Sequence, residues 1–125
     1  SWRSPKHVGV HGGTLLQSFS ALTELAAAGV QTVVEPNSPL ASYSADLDGL
    51  LQVNSKPENA GISHVAAIEP LSSERKQELA GHDGALIRIL PSEQGLDILQ
   101  VFEEISCSIN TTAAGGNASL MAVAD

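Results

Sequence analysis

A chain of 125 residues is one domain by length and long enough to bury a core without disulfide or metal staples. Apolar residues make up 42% of it, but no uninterrupted apolar run approaches the roughly 20 residues a bilayer span needs, so a membrane span is excluded and a cytoplasmic protein is expected. The net charge of −8, with only six Lys and Arg, excludes the basic footprint that nucleic acid requires.

Cys107 is the one cysteine, which excludes an intramolecular disulfide and a thiolate metal cage; in its strand-like setting it reads as a small buried apolar group. Aromatic content is 3%, so the core is built from Ala, Val, Leu and Ile, which suits a sheet under close-packed helices better than an aromatic recognition surface.

Trp2 to Lys6 reads as a lead-in segment whose abrupt start points to a fragment boundary. His7-Val8-Gly9-Val10 forms a first strand, Gly12 and Gly13 break it, and Thr14 is the N-cap of a helix. From Leu15 to Ala28 the apolar positions Leu15, Phe19, Leu22, Leu25, Ala26 and Ala28 recur at three- and four-residue spacing, the stripe of an amphipathic helix ended by Gly29. Val30 to Glu35 is a β-branched second strand stopped by Pro36, completing a βαβ unit expected to be right-handed.

After a turn at Pro36 to Pro39, a weaker helix is expected from Ala45 through Leu47, Leu50 and Leu51 to about Gln52. Asn54 to Gly61 is the most loop-like segment. His64 to Ile68 forms a third strand, Leu71 to Ala80 a helix capped by Ser72 or Ser73 and closed at Gly81, and Ala85 to Leu90 a fourth strand stopped by Pro91. A last helix from about Gly95 to Glu103, with Leu96, Leu99 and Phe102 inward, leads to the terminal strands. Strands alternating with helices in this way predict a Rossmann-like α/β fold: an open, mainly parallel sheet with helices on both faces.

Gly12 and Gly13 lie where such a fold places its phosphate-cradling turn, and Glu35, at the end of the second strand, lies where a ribose-binding acid is expected. No G-x-G-x-x-G passes through these glycines, so the turn also reads as purely structural. The imidazoles, His7, His11, His64 and His82, fall near strand starts and a helix end without metal-ligand spacing, and read as solvated or capping groups. Glu103-Glu104 and the Asp46, Asp48 pair do not converge on one helix face and read as solvated surface. No nucleophile motif is present, and no metal site or catalytic residue is expected.

Ser106 to Asp125 carries the most specific signal. Cys107 and Ile109 alternate with Ser106, Ser108 and Asn110, a period-2 strand; Ala118 to Ala124 reads as a second; and Gly115-Gly116-Asn117 reverses the chain between them. A hairpin this small is marginal in water alone, so Leu120, Met121 and Val123 need another surface to lean on. The domain reading is therefore residues 1–105 as the Rossmann-like unit and 106–125 as a β-flap, one domain overall and a fragment of a larger chain.

The run Asn110-Thr111-Thr112-Ala113-Ala114-Gly115-Gly116-Asn117-Ala118-Ser119-Leu120-Met121 resembles the extreme C-terminus of the bacterial proline utilisation A flavoproteins, which oxidise proline to glutamate with a proline dehydrogenase and a glutamate-semialdehyde dehydrogenase on one chain. From Val8 to Leu90 the element order is similar, by pattern only, to the C-terminal domain of the longer members, itself like the dinucleotide-binding part of the aldehyde dehydrogenase superfamily.

The resemblance implies a noncatalytic domain that packs on the aldehyde dehydrogenase domain of the same parent chain. Its flap would cover that active site and the cavity through which pyrroline-5-carboxylate, or its hydrolysed semialdehyde, passes. Asn110, Thr111, Thr112, Gly115, Gly116 and Asn117 would form the flap, with Leu120 and Met121 docking it. FAD and NAD would belong to the parent, which would be cytoplasmic or peripheral to a membrane, and the fragment would hold no cofactor. No thiolate nucleophile, general-base glutamate or cofactor loop of an aldehyde dehydrogenase aligns here, and Cys107 on the flap strand does not take the catalytic role. Two alternatives stay open: a stand-alone NAD(P)-binding module using Gly12, Gly13 and Glu35, and an oligomerisation domain that forms a homodimer through the flap by strand addition.

Overall fold

Val8 and Val10 project from one side of the first strand and Gly9 occupies the other, and the two layers of the molecule are built on that alternation. The chain is described by a computed structural model over residues 7–91. In order, the elements are β1 (His7–His11), α1 (Leu15–Ala27), β2 (Gln31–Val34), a 3-10 turn at Ala41–Tyr43, β3 (Leu51–Val53), a second 3-10 turn at Pro57–Ala60, β4 (His64–Ala67), α2 (Ser73–Gly81) and β5 (Arg88–Pro91).

The strands form one five-stranded sheet in the order β3-β2-β1-β4-β5, every neighbouring pair parallel. Val8 sits in register with Thr32 on one side and His64 on the other, and His64 in turn with Arg88. Val8, Val10, Val34 and Ala66 pack with Ala21, Leu22 and Leu25 of α1 on one face. Val33, Val65 and Ala67 pack with Leu79 of α2 and with Ile62 and Leu71 on the other. The fold is therefore an open parallel α/β sheet of Rossmann-like order with helices on both faces. Packing at its centre is tight around the glycine: a Cβ on Gly9 would meet Ile62 Cδ1 at 3.2 Å, so the Ile62 side chain would have to give way.

Both helices start where their polar residues predict. The Thr14 hydroxyl accepts from the Gln17 amide at 3.1 Å while the Gln17 side chain accepts from the Thr14 amide at 2.9 Å, a reciprocal box that satisfies two otherwise unpaired donors. Gly29, at φ +78°, terminates α1. Ser72 caps α2 by accepting from the Arg75 amide at 3.0 Å, and the helix runs to Gly81 with His82 as its C-cap.

Three expectations are corrected. The helix expected over Ala45 to Gln52 does not form: the segment is a series of turns broken by Gly49 at φ +85°, after which Leu51–Val53 joins β2 as a strand. Leu47, Leu50 and Leu51 do have helical spacing, but Leu51 is buried as a strand residue and Leu50 stays exposed. The strand expected from Ala85 begins only at Arg88 and continues into Pro91, which the end of an edge strand tolerates because its missing N–H breaks no interior ladder. The inward face of α1 is Ser18, Ala21, Leu22 and Leu25, so Leu15 and Phe19 point away from the sheet.

The expected helix at 95–103, the boundary at 105–106 and the terminal hairpin at 106–125 lie outside the described residues. Among the described residues no helix is long and apolar enough to cross a membrane.

Candidate functional site

In the order β3-β2-β1-β4-β5 the connections leave the centre in opposite directions, from β1 toward β2 and from β4 toward β5, so a crevice opens at the carboxyl ends of β1 and β4. It is a cavity of about 330 Å³ lined by His11, Gly12, Gly13, Glu35, Asn37 and Glu69, among others. The three sequence-predicted residues Gly12, Gly13 and Glu35 are thus brought to one place.

Each has a partner from the chain itself. Gly12 (φ +77°) and Gly13 (φ +93°) turn the chain from β1 into α1. The Gly13 amide donates to Glu69 Oε2, from the segment after β4. The Ile68 amide donates to the His11 carbonyl at 2.9 Å, so that segment lies directly on the turn.

Glu35 faces a second group of charges. Its Oε2 is 3.6 Å from His11 Nδ1 and 3.9 Å from Arg75 Nε. Arg75 is a hub: Nη2 donates to Glu58 Oε1 at 2.7 Å, and Nη1 donates to Glu58 Oε2 at 3.0 Å and to Glu78 Oε1 at 3.1 Å. Hydrogen bonds from Arg75 hold the Glu58 carboxyl below the usual carboxylate range against the opposing pull of burial. The same contact, with Glu58 first, pushes the guanidinium further up. This network floors a cleft of about 560 Å³ that Lys56 and His82 also line. Glu58, Glu69 and Arg75 carried no local sequence signal, because their partners are distant in the chain.

The reading of all four histidines as solvated or capping is corrected at His64, which is buried in β4 at 7% exposure. Its Nδ1 is 2.7 Å from Ser63 Oγ, while Nε2 has no hydrogen-bond partner. Burial first, and Arg88 second, lower its pKa. Among the described residues no group of three or more His, Cys, Asp or Glu side chains is placed to hold a metal ion.

A third feature is apolar. The face of α1 turned from the sheet carries Leu15, Leu16 and Phe19, and with Tyr43 and Leu47 it forms a groove of about 490 Å³ rimmed by Asp46. Leu16 is 75% exposed, and Leu15, Phe19 and Tyr43 exceed 40%. The flap residues Asn110, Thr111, Thr112, Gly115, Gly116, Asn117, Leu120 and Met121, and Cys107, lie outside the described residues. Compared with models of known protein families, with curated proteins and with solved structures, the chain has no match.

Proposed function

We propose that this chain is a noncatalytic covering domain, the C-terminal part of a bifunctional enzyme that oxidises proline to glutamate. In this reading it packs on the aldehyde dehydrogenase domain of its parent, and the flap at 106–125 closes over that active site and the route of the intermediate between the two centres. FAD and NAD are then the parent's cofactors. The resemblance at Asn110 to Met121 supports this choice of family.

The observation in the described fold that carries the reading is the groove at Leu15, Leu16, Phe19, Tyr43 and Leu47. A helix whose outer face exposes three large apolar side chains in its first five residues favours burial against a second surface, at about 25 cal/mol per Å² of apolar area removed from water. A covering domain supplies such a contact. Its contribution to the chemistry is exclusion of water and retention of a reactive aldehyde, neither of which needs a catalytic side chain here.

The test is deletion of Ala113 to Asp125 from the full-length parent. Aldehyde dehydrogenase activity is expected to fall and proline dehydrogenase activity to persist; unchanged coupled turnover rejects the covering role.

A further inference from the structure

The crevice at the carboxyl ends of β1 and β4 is the part of an open parallel α/β sheet that ordinarily receives a ligand, and a glycine turn there leaves room for a phosphoryl group to approach the backbone. In this chain that room is taken. A Cβ built on Gly12 would lie 2.7 Å from Glu69 Cβ, 2.9 Å from Cγ and 3.0 Å from Cδ, so the Glu69 side chain runs along the open side of the glycine. A Cβ on Gly13 would meet Ile68 Cγ2 at 2.9 Å. The Gly13 amide is hydrogen-bonded to the Glu69 carboxylate. The main chain that carries both side chains is tied to the turn, because the Ile68 and Glu69 amides donate to the one His11 carbonyl at 2.9 and 3.3 Å.

We infer that Glu69 is a built-in occupant of this crevice, an autoinhibitory contact that fills the space beside Gly12 and Gly13 and keeps phosphoryl ligands out. Space and charge act together. The carbon chain of Glu69 covers Gly12, and its carboxylate meets the Gly13 donor. An entering anion would also face Glu35, whose carboxylate lines the same cavity. His11 Nδ1 and Arg75 Nε stand 3.6 and 3.9 Å from the Glu35 carboxylate, beside the acid that a ribose would need. The glycines are then required by the chain's own packing, and the missing G-x-G-x-x-G is the sequence trace of a turn that holds its own carboxylate. The inference is independent of the covering role and stands or falls on this crevice alone.

Two measurements on the full 125-residue chain test it. In amide NMR spectra the Gly13 proton of the wild type is expected downfield, as a donor to a carboxylate. In Glu69→Gln it is expected to move upfield. A Gly13 resonance that is insensitive to the substitution overturns the inference. Calorimetric titration with inorganic pyrophosphate, and separately with NAD, is expected to give no heat with the wild type. Glu69→Ala, which removes charge and bulk at an exposed position, is expected to gain a saturable heat with pyrophosphate that the wild type lacks. Equal binding by the two proteins, or no gain in Glu69→Ala with the sheet amides unshifted, also overturns it.

Discussion

Arg75 and Glu58 meet in a two-pronged contact, Nη2 to Oε1 at 2.7 Å and Nη1 to Oε2 at 3.0 Å, that ties the first turn of α2 to the connection between β3 and β4. The pair is little exposed, at 16% for the arginine side chain and 7% for the glutamate. Removing Arg75 leaves a carboxylate in a site built for its partner, which costs about 3 kcal/mol for a buried pair. Arg75→Ala is therefore expected to lower stability by about 2–3 kcal/mol in urea unfolding, and Glu58→Gln by less, because the amide still accepts from the guanidinium.

The same contact sets an acid limit. The folded-state pKa of Glu58 is below its ordinary value of 4.5, so its stabilisation is fully present above that value and is lost as pH falls through the folded pKa. In Glu58→Gln the decline in unfolding midpoint below about pH 4.5 should be shallower than in the wild type. Parallel acid curves would separate the pair from the acid response.

His64 works in a different window, though its shift is also downward. Its folded-state pKa is lowered from 6.5, so the folded chain keeps the ring neutral while the unfolded chain takes up a proton as pH falls. Stability contributed by the neutral ring is present above about pH 6.5 and declines as pH falls toward the folded pKa. Chemical unfolding of His64→Leu between about pH 7.5 and 5.5 is expected to give a flatter stability profile than the wild type. The substitution also removes the unpaired Nε2, so its cost at neutral pH is expected to stay within about 1.5 kcal/mol.

Where the chain repeats with a clear period and carries caps, the fold was legible. Thr14 and Gly29 bound α1, Ser72 starts α2, and the β-branched run before Pro36 is β2. The elements misread are short ones. Leu47, Leu50 and Leu51 match a helix by spacing, but Gly49 interrupts them and three residues of strand outcompete a helix by pairing with β2. The site divides in the same way. Gly12, Gly13 and Glu35 follow from strand ends, whereas the Glu69 contact to Gly13 spans 56 residues and the Arg75 contact to Glu58 spans 17, separations that carry no periodic signal. A lone Glu before Pro70 and a lone Arg in α2 look like ordinary surface until the sheet brings them together.

The outer face of α1 separates stability from docking. Leu16 is 75% exposed, so Leu16→Asp is expected to change the stability of the chain by no more than about 0.5 kcal/mol. Leu22, one of the largest fully buried side chains, is expected to cost about 2–5 kcal/mol on truncation to Ala. In the full-length parent Leu16→Asp is expected to reduce the aldehyde dehydrogenase step and leave the proline dehydrogenase step unchanged. Wild-type rates for both steps in that variant would remove the groove from the proposed contact.

Gly13 and Gly29 share a left-handed backbone, at φ +93° and +78°, but differ in what surrounds them. A Cβ on Gly29 meets nothing within 4 Å, so Gly29→Ala bears only the conformational penalty, about 1–2 kcal/mol. A Cβ on Gly13 meets Ile68 at 2.9 Å and Gln17 Oε1 at 3.3 Å, and the Ile68 main chain is held by the hydrogen bond its amide donates to the His11 carbonyl. Gly13→Ala should therefore add an overpacking cost of about 1–3 kcal/mol to the same conformational penalty. Urea unfolding of the two variants side by side isolates that difference. Equal losses would mean that the segment after β4 yields freely, and that the turn into α1 is less tightly covered than the contacts of Ile68 and Glu69 require.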